Sequence, residues 1–174
     1  MRKETGSLIG AVGGLAFLLF NTGSLPAALA WGIRVIGVVA FVAVVWYAVL
    51  RPQRRGMVDR PRPVNMRTYW LAVLAMVIAI PLGSLVINRV LDRPPLTLPW
   101  VVLVLGAHFL PFARAFRAPI FARMGLMLIA LAVAGAVVTL LVNPQASVWV
   151  AIAAGFVLLS FSLAGGRQRS ATRA

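Results

Sequence analysis

Six apolar runs, separated by gaps that hold nearly every charged residue, leave this chain one class of structure. The runs cover approximately residues 8–20, 27–50, 69–87, 98–112, 124–142 and 148–164. A bilayer core is about 30 Å thick and takes about 20 residues of helix to cross. Inside it every backbone N–H and C=O must be satisfied within the segment, so each run is expected to be a helix. Six spans with tight connections use up a chain of 174 residues. That excludes a separate soluble catalytic domain. The expectation is an all-α membrane protein, a single polytopic domain over residues 1–174, arranged as three helical hairpins. Composition agrees, with 61% hydrophobic and 11% charged residues, far from the roughly 45–50% and 25% of soluble domains.

The first run follows Met1-Arg2-Lys3-Glu4 and is short. Together with Ala28-Leu29-Ala30 it has the form of a signal peptide. Cleavage after Ala30 would cut at the edge of the second run, so retention is expected. The second span begins on the outer side in either case.

A net charge of +14 would suggest nucleic acid in a soluble protein. The distribution argues otherwise. Of the 17 basic residues, 14 fall in the N-terminus, the 51–68 gap, the gap after span four and the C-terminal tail. Only Arg89 and Arg93 lie in the alternate gaps, and only Arg34 lies within a span. Basic residues collect on the cytoplasmic side of polytopic proteins, so six spans with both termini cytoplasmic are predicted. The expected setting is a bacterial cytoplasmic membrane, and no nucleic acid is expected as partner. The loop bearing Arg51, Arg54, Arg55, Arg60, Arg62 and Arg67 is expected to attract anionic lipid headgroups at about 1 kcal/mol per residue. There is no cysteine, so disulfides and zinc–thiolate sites are absent.

Inside the spans the only ionisable residues are Arg34 and His108, because Glu4, Asp59 and Asp92 lie in the N-terminal tail or the gaps. Proton relays and cation sites at membrane depth use carboxylates, so a solute crossing here would be anionic or neutral. Arg34 lies about two turns into span two. It either snorkels to the interface or is held by helix-end carbonyls, Asn21, Asn88, a lipid phosphate or a bound anion. His108 lies ten residues into span four, beside Gly106 and Pro111. Pro111 cannot donate to the carbonyl of Ala107, so a helix break is expected there, making a polar pocket, a gate or a hinge. The alternative is a neutral histidine bonded to a carbonyl or hydroxyl across a helix interface. A lone histidine holds no metal of useful affinity, and no cofactor is expected.

Small residues at Gly10 and Gly14, and at Ala151 and Gly155, offer faces for close helix approach, within the monomer or between copies. A homo-oligomer or an unidentified membrane partner both remain compatible with them. Trp31, Trp46, Tyr47, Tyr69, Trp70, Trp100 and Trp149 fall near span ends and read as interfacial belts.

Asn21-Thr22-Gly23-Ser24-Leu25-Pro26 with the later Arg34, Tyr69-Trp70, and above all the W-x-x-x-V-x-G-x-H-F pattern at Trp100, Val104, Gly106, His108 and Phe109 carry a resemblance. The chain resembles a family of small six-helix integral membrane proteins of unknown activity from actinobacteria and related bacteria. The resemblance covers about two-thirds of the sequence. It implies the six-span topology and directs attention to Arg34 and His108. The family can carry a Glu in span three, whereas Val73-Leu74-Ala75-Met76-Val77 has none, which weighs against a proton relay.

The expected function is therefore a non-enzymatic structural or accessory membrane component. The competing reading is a small transporter or channel for an anionic or neutral solute, and its sign would be Arg34 and His108 converging on one cavity. An enzyme would need a nucleophile beside His108, for which Ser84, Thr139, Ser160 and Ser162 are the candidates.

Overall fold

The computed structural model describes residues 3–47, 65–116 and 118–171, with side chains for 8–47, 65–116 and 118–164. Among the described residues the regular structure is entirely helical: α1 (Lys3–Asn21), α2 (Ala27–Val45), α3 (Met66–Arg89), α4 (Thr97–Ala115), α5 (Pro119–Leu141) and α6 (Ala146–Ala171). A single 3-10 turn, Pro94–Leu96, leads into α4. Five stretches, Ala27–Val45, Met66–Arg89, Pro94–Ala115, Pro119–Leu141 and Ala146–Ala164, are long and apolar enough to cross a membrane, and α1 adds the shorter apolar stretch Leu8–Asn21. This is a multi-pass membrane protein.

Its surface supports that reading. Val35, Val38, Val39 and Val42 of α2, and Leu74, Val77, Ile78 and Leu82 of α3, are all exposed; Val39 is 63% accessible. Water would penalise apolar faces this extensive, whereas hydrocarbon solvates them. The inward stripes are narrower. On α5, Gly125, Leu128, Ala132, Gly135 and Thr139 are buried at alternating intervals of three and four residues, the repeat of one helix face.

Several helices run past the apolar runs. Arg67, Arg89, Arg114 and Arg123, which hydropathy places in the gaps, occupy the ends of α3, α4 and α5 and are exposed. Helical hydrogen bonding continues as long as long arginine stems carry their charge out to water. Local signals set the boundaries. The Asn65 side chain caps α3 by accepting from the Thr68 N–H at 3.1 Å, and Pro119 stands at the start of α5. The end of α3 is folded back by Asp92 at φ 49°, with the Arg93 N–H donating to the Ile87 carbonyl at 3.0 Å. Residues 48–64, and with them the expected end of span two and Arg51, Arg54, Arg55, Arg60 and Arg62, lie outside the described residues.

The break expected at Pro111 is not present: α4 is one helix from Thr97 to Ala115 with Pro111 inside it, as α3 is with Pro81 inside it. A proline removes one N–H from the ladder, while the flanking turns keep theirs and neighbouring helices support the segment.

The chain divides into two compact units. One contains α1, α2 and the part of α6 from Gly155 onward; the other contains α3, α4, α5 and α6 up to Ala154. In the first unit Gly14 faces Gly155. A methyl added to Gly14 would lie 2.7 Å from the Gly155 carbonyl oxygen, and one added to Gly155 would lie 2.8 Å from that of Gly14. Leu18 fills the space between Gly155 and Gly37 of α2. The small-residue faces of spans one and six thus serve packing within the chain. In the second unit α4 packs on both α3 and α5. Gly83 gives room to the Trp100 ring, Gly106 and Gly125 face each other, and Gly135 receives Val150.

Candidate functional site

The α1–α2 turn positions Arg34. It begins at Thr22, whose carbonyl accepts from the Leu25 N–H at 3.2 Å, and Pro26 opens α2. Thr22 is fully buried, and its hydroxyl oxygen accepts from Arg34 Nε at 2.8 Å. Arg34 stands seven residues into α2 beyond Ala27, about 10 Å along the axis at 1.5 Å per residue. Bonding to the turn directs the side chain back toward the helix start, so snorkelling and a fixed partner coexist. The guanidinium carbon lies 5.8 Å from the centre of the Trp31 ring, within cation–π range. Leu19, Trp31, Arg34, Val35, Val38 and Val39 line an open groove of about 530 Å³.

His108 belongs to the other unit and has a different setting. Its Nδ1 lies 3.1 Å from the Ala72 carbonyl oxygen of α3. A carbonyl only accepts, so the bond requires the proton on Nδ1. The ring sits 4.1 Å from Phe112 and 5.6 Å from Phe109. This is the interhelical hydrogen bond named above as the alternative to a pocket.

Asn21 and Asn88 turn onto their own helices. Asn21 Nδ2 donates to the Phe17 carbonyl at 2.9 Å, and Asn88 Nδ2 donates to the Ser84 carbonyl at 2.7 Å and to the Thr97 hydroxyl at 3.0 Å. Each bonds a carbonyl one turn back in its own helix, and Asn88 also ties the end of α3 to the start of α4. Of the four candidate pocket residues, Arg34 lines the groove just described; its partner Thr22 lies twelve residues earlier, and no sequence pattern pairs the two.

An aromatic cluster escaped the sequence reading. Tyr69 stacks on Phe112 at 5.0 Å and meets Phe116 edge-on, and Phe109 stacks on Phe121 at 6.1 Å. The signal was there, since Phe109, Phe112 and Phe116 recur at three- and four-residue spacing along one face of α4. Trp100, expected in an interfacial belt, instead seats on Gly83 and donates from Nε1 to the Ala79 carbonyl at 3.1 Å. A glycine one helix away admits the ring, a feature no span-end pattern records. Trp31, Trp46, Trp70 and Trp149 remain exposed.

Thr139 is buried, and its hydroxyl is the one buried side-chain polar atom without a partner among the described residues. It borders a cavity of about 140 Å³ shared with Arg93 and Asn143.

No family profile matches the chain, and no curated protein or solved structure is similar to it.

Proposed function

We propose that this chain is a non-enzymatic accessory component of a bacterial cytoplasmic membrane, acting through helix and lipid contacts. In this reading its six spans form three hairpins with both termini cytoplasmic, and the basic loop 51–68 lies against anionic headgroups. The resemblance to the small six-helix family fits the same topology and adds no activity. The observation that carries the reading is that three of the four candidate polar residues, His108, Asn21 and Asn88, spend a donor on a helix carbonyl and so form no row of free groups along a path. Arg34 bonds Thr22, His108 bonds a backbone carbonyl, and Asn21 and Asn88 each bond a carbonyl of their own helix. A conducting path needs polar groups left free to exchange partners with solute.

Two experiments test it. Purified protein in liposomes is expected to show no flux of chloride, phosphate or glycerol above empty liposomes. Flux that disappears in well-folded Arg34→Ala or His108→Ala would establish the transporter reading instead. The chain has no cysteine, so Ser24→Cys, Gln145→Cys and Asn65→Cys each introduce a unique thiol. A membrane-impermeant maleimide added to intact cells should label the first two and not the third. The reverse pattern would overturn the orientation.

A further inference from the structure

We propose that the groove beside Arg34 is a binding site for a single anionic phospholipid, its phosphate held by Arg34 and one acyl chain laid along Val35, Val38 and Val39. The proposal rests on the membrane-spanning reading and names the lipid that reading leaves general. Arginine carries five N–H donors in a planar fork suited to phosphate. The Thr22 bond uses the Nε–H, and among the described residues Arg34 makes no further side-chain hydrogen bond. Both terminal nitrogens, and the edge that grips two oxygens of one phosphate, are left for a ligand.

Three features distinguish this from an arginine that merely reaches the interface. First, the guanidinium is fixed, with Thr22 holding Nε and Trp31 beneath the charge. A held donor loses less freedom on binding than a mobile one. Second, among the described residues no carboxylate pairs with its charge, and the sequence places Glu4, Asp59 and Asp92 outside the apolar runs. A charge at this depth is costly until an anion meets it. Third, the rest of the groove is apolar: Leu19 from α1, and Val35, Val38 and Val39 continuing deeper along α2. Cationic head and apolar runway occur in the order in which a phospholipid presents phosphate and chain. A free phosphate would match the head and leave the runway unused. A zwitterionic lipid would bring its own cation to the same place.

Native mass spectrometry of the full chain, released from nanodiscs of equal phosphatidylglycerol and phosphatidylcholine, reads the retained lipid directly. The wild type should retain phosphatidylglycerol over phosphatidylcholine by about fivefold, the factor expected for one arginine meeting an anionic headgroup. Arg34→Gln should bring the ratio to near one, and Thr22→Val, which frees the guanidinium without removing it, should lower it part of the way. Val38→Trp fills the runway and leaves the charge, so it should reduce total lipid retained; it also provides the test if Arg34→Gln misfolds. An unchanged ratio in folded Arg34→Gln, or full retention in Val38→Trp, would overturn the proposal. So would displacement of the lipid by glycerol 3-phosphate, which has the head without the chains and would mark the groove as a site for free phosphate. Failure of the membrane reading appears differently, as protein that does not insert into nanodiscs at all.

Discussion

Gly106 of α4 and Gly125 of α5 bring the two backbones close together, and that approach sets a quantitative test of how the unit is held together. A methyl added to Gly125 would lie 2.6 Å from the Gly106 carbonyl oxygen; one added to Gly106 would lie 2.9 Å from the Gly125 carbonyl oxygen and from the Ile129 nitrogen. Ordinary contact begins near 3.4 Å, so alanine at either position must push the helices apart by one half to one ångström. The obstructing atoms are backbone, and no rotamer change relieves them. Overpacking of this kind costs about 1–3 kcal/mol. Lipid gives no hydrophobic compensation, because helix association there depends on close packing itself. Opposing this, alanine is the better helix former by up to about 1 kcal/mol. Gly32 isolates that gain, since it lies on the exposed side of α2 with nothing within 4 Å of an added methyl. Reversible unfolding in mixed micelles by titration with sodium dodecyl sulfate, followed by circular dichroism, should rank Gly125→Ala as most destabilising, Gly106→Ala next, and Gly32→Ala as neutral or stabilising. The double variant should cost less than the two single costs combined, because the first methyl already separates the helices. Equal stability of Gly125→Ala and Gly32→Ala would refute the argument that α4 and α5 meet through these glycines.

The same unfolding assay checks three further expectations. Thr139→Val keeps the side-chain shape and removes a buried hydroxyl without a partner, so it should stabilise the protein by about 1 kcal/mol; destabilisation would mean that the hydroxyl holds a ligand or water. Asp92 adopts a left-handed conformation at φ 49°, which costs non-glycine residues about 1–2 kcal/mol. Asp92→Gly should therefore stabilise, and Asp92→Val should destabilise by a similar amount. His108→Phe removes the bond to Ala72, whose carbonyl keeps its place in the α3 ladder, so the loss should be about 1 kcal/mol. A loss beyond about 3 kcal/mol would exceed any single hydrogen bond and show that His108 does more than tie α4 to α3.

How far the sequence predicts this molecule follows from which forces it encodes locally. The presence and approximate position of the apolar helices were legible because hydrophobic length acts residue by residue. Helix ends were less so: Arg67 and Arg114 looked like loop residues by charge, yet a flexible stem lets each remain in a helix. Pro111 reads as a break in sequence because one missing hydrogen bond counts fully in an isolated helix and only marginally in one packed on both sides. Contacts between helices were mostly hidden. Gly10 and Gly14 stood out by spacing, whereas Gly106 and Gly125 are 19 positions apart and meet only once the rotation of α4 against α5 is known. The Arg34–Thr22 bond was hidden for the same reason, since it depends on how the turn closes. Charge singles out Arg34 and His108 as the ionisable residues within the runs, but charge alone gives no reason to separate them. Geometry does: His108 is bound to the helix backbone, whereas Arg34 retains a free, oriented fork over an apolar groove. Of the two, Arg34 is the residue with binding capacity left, and lipid is the solvent that reaches it.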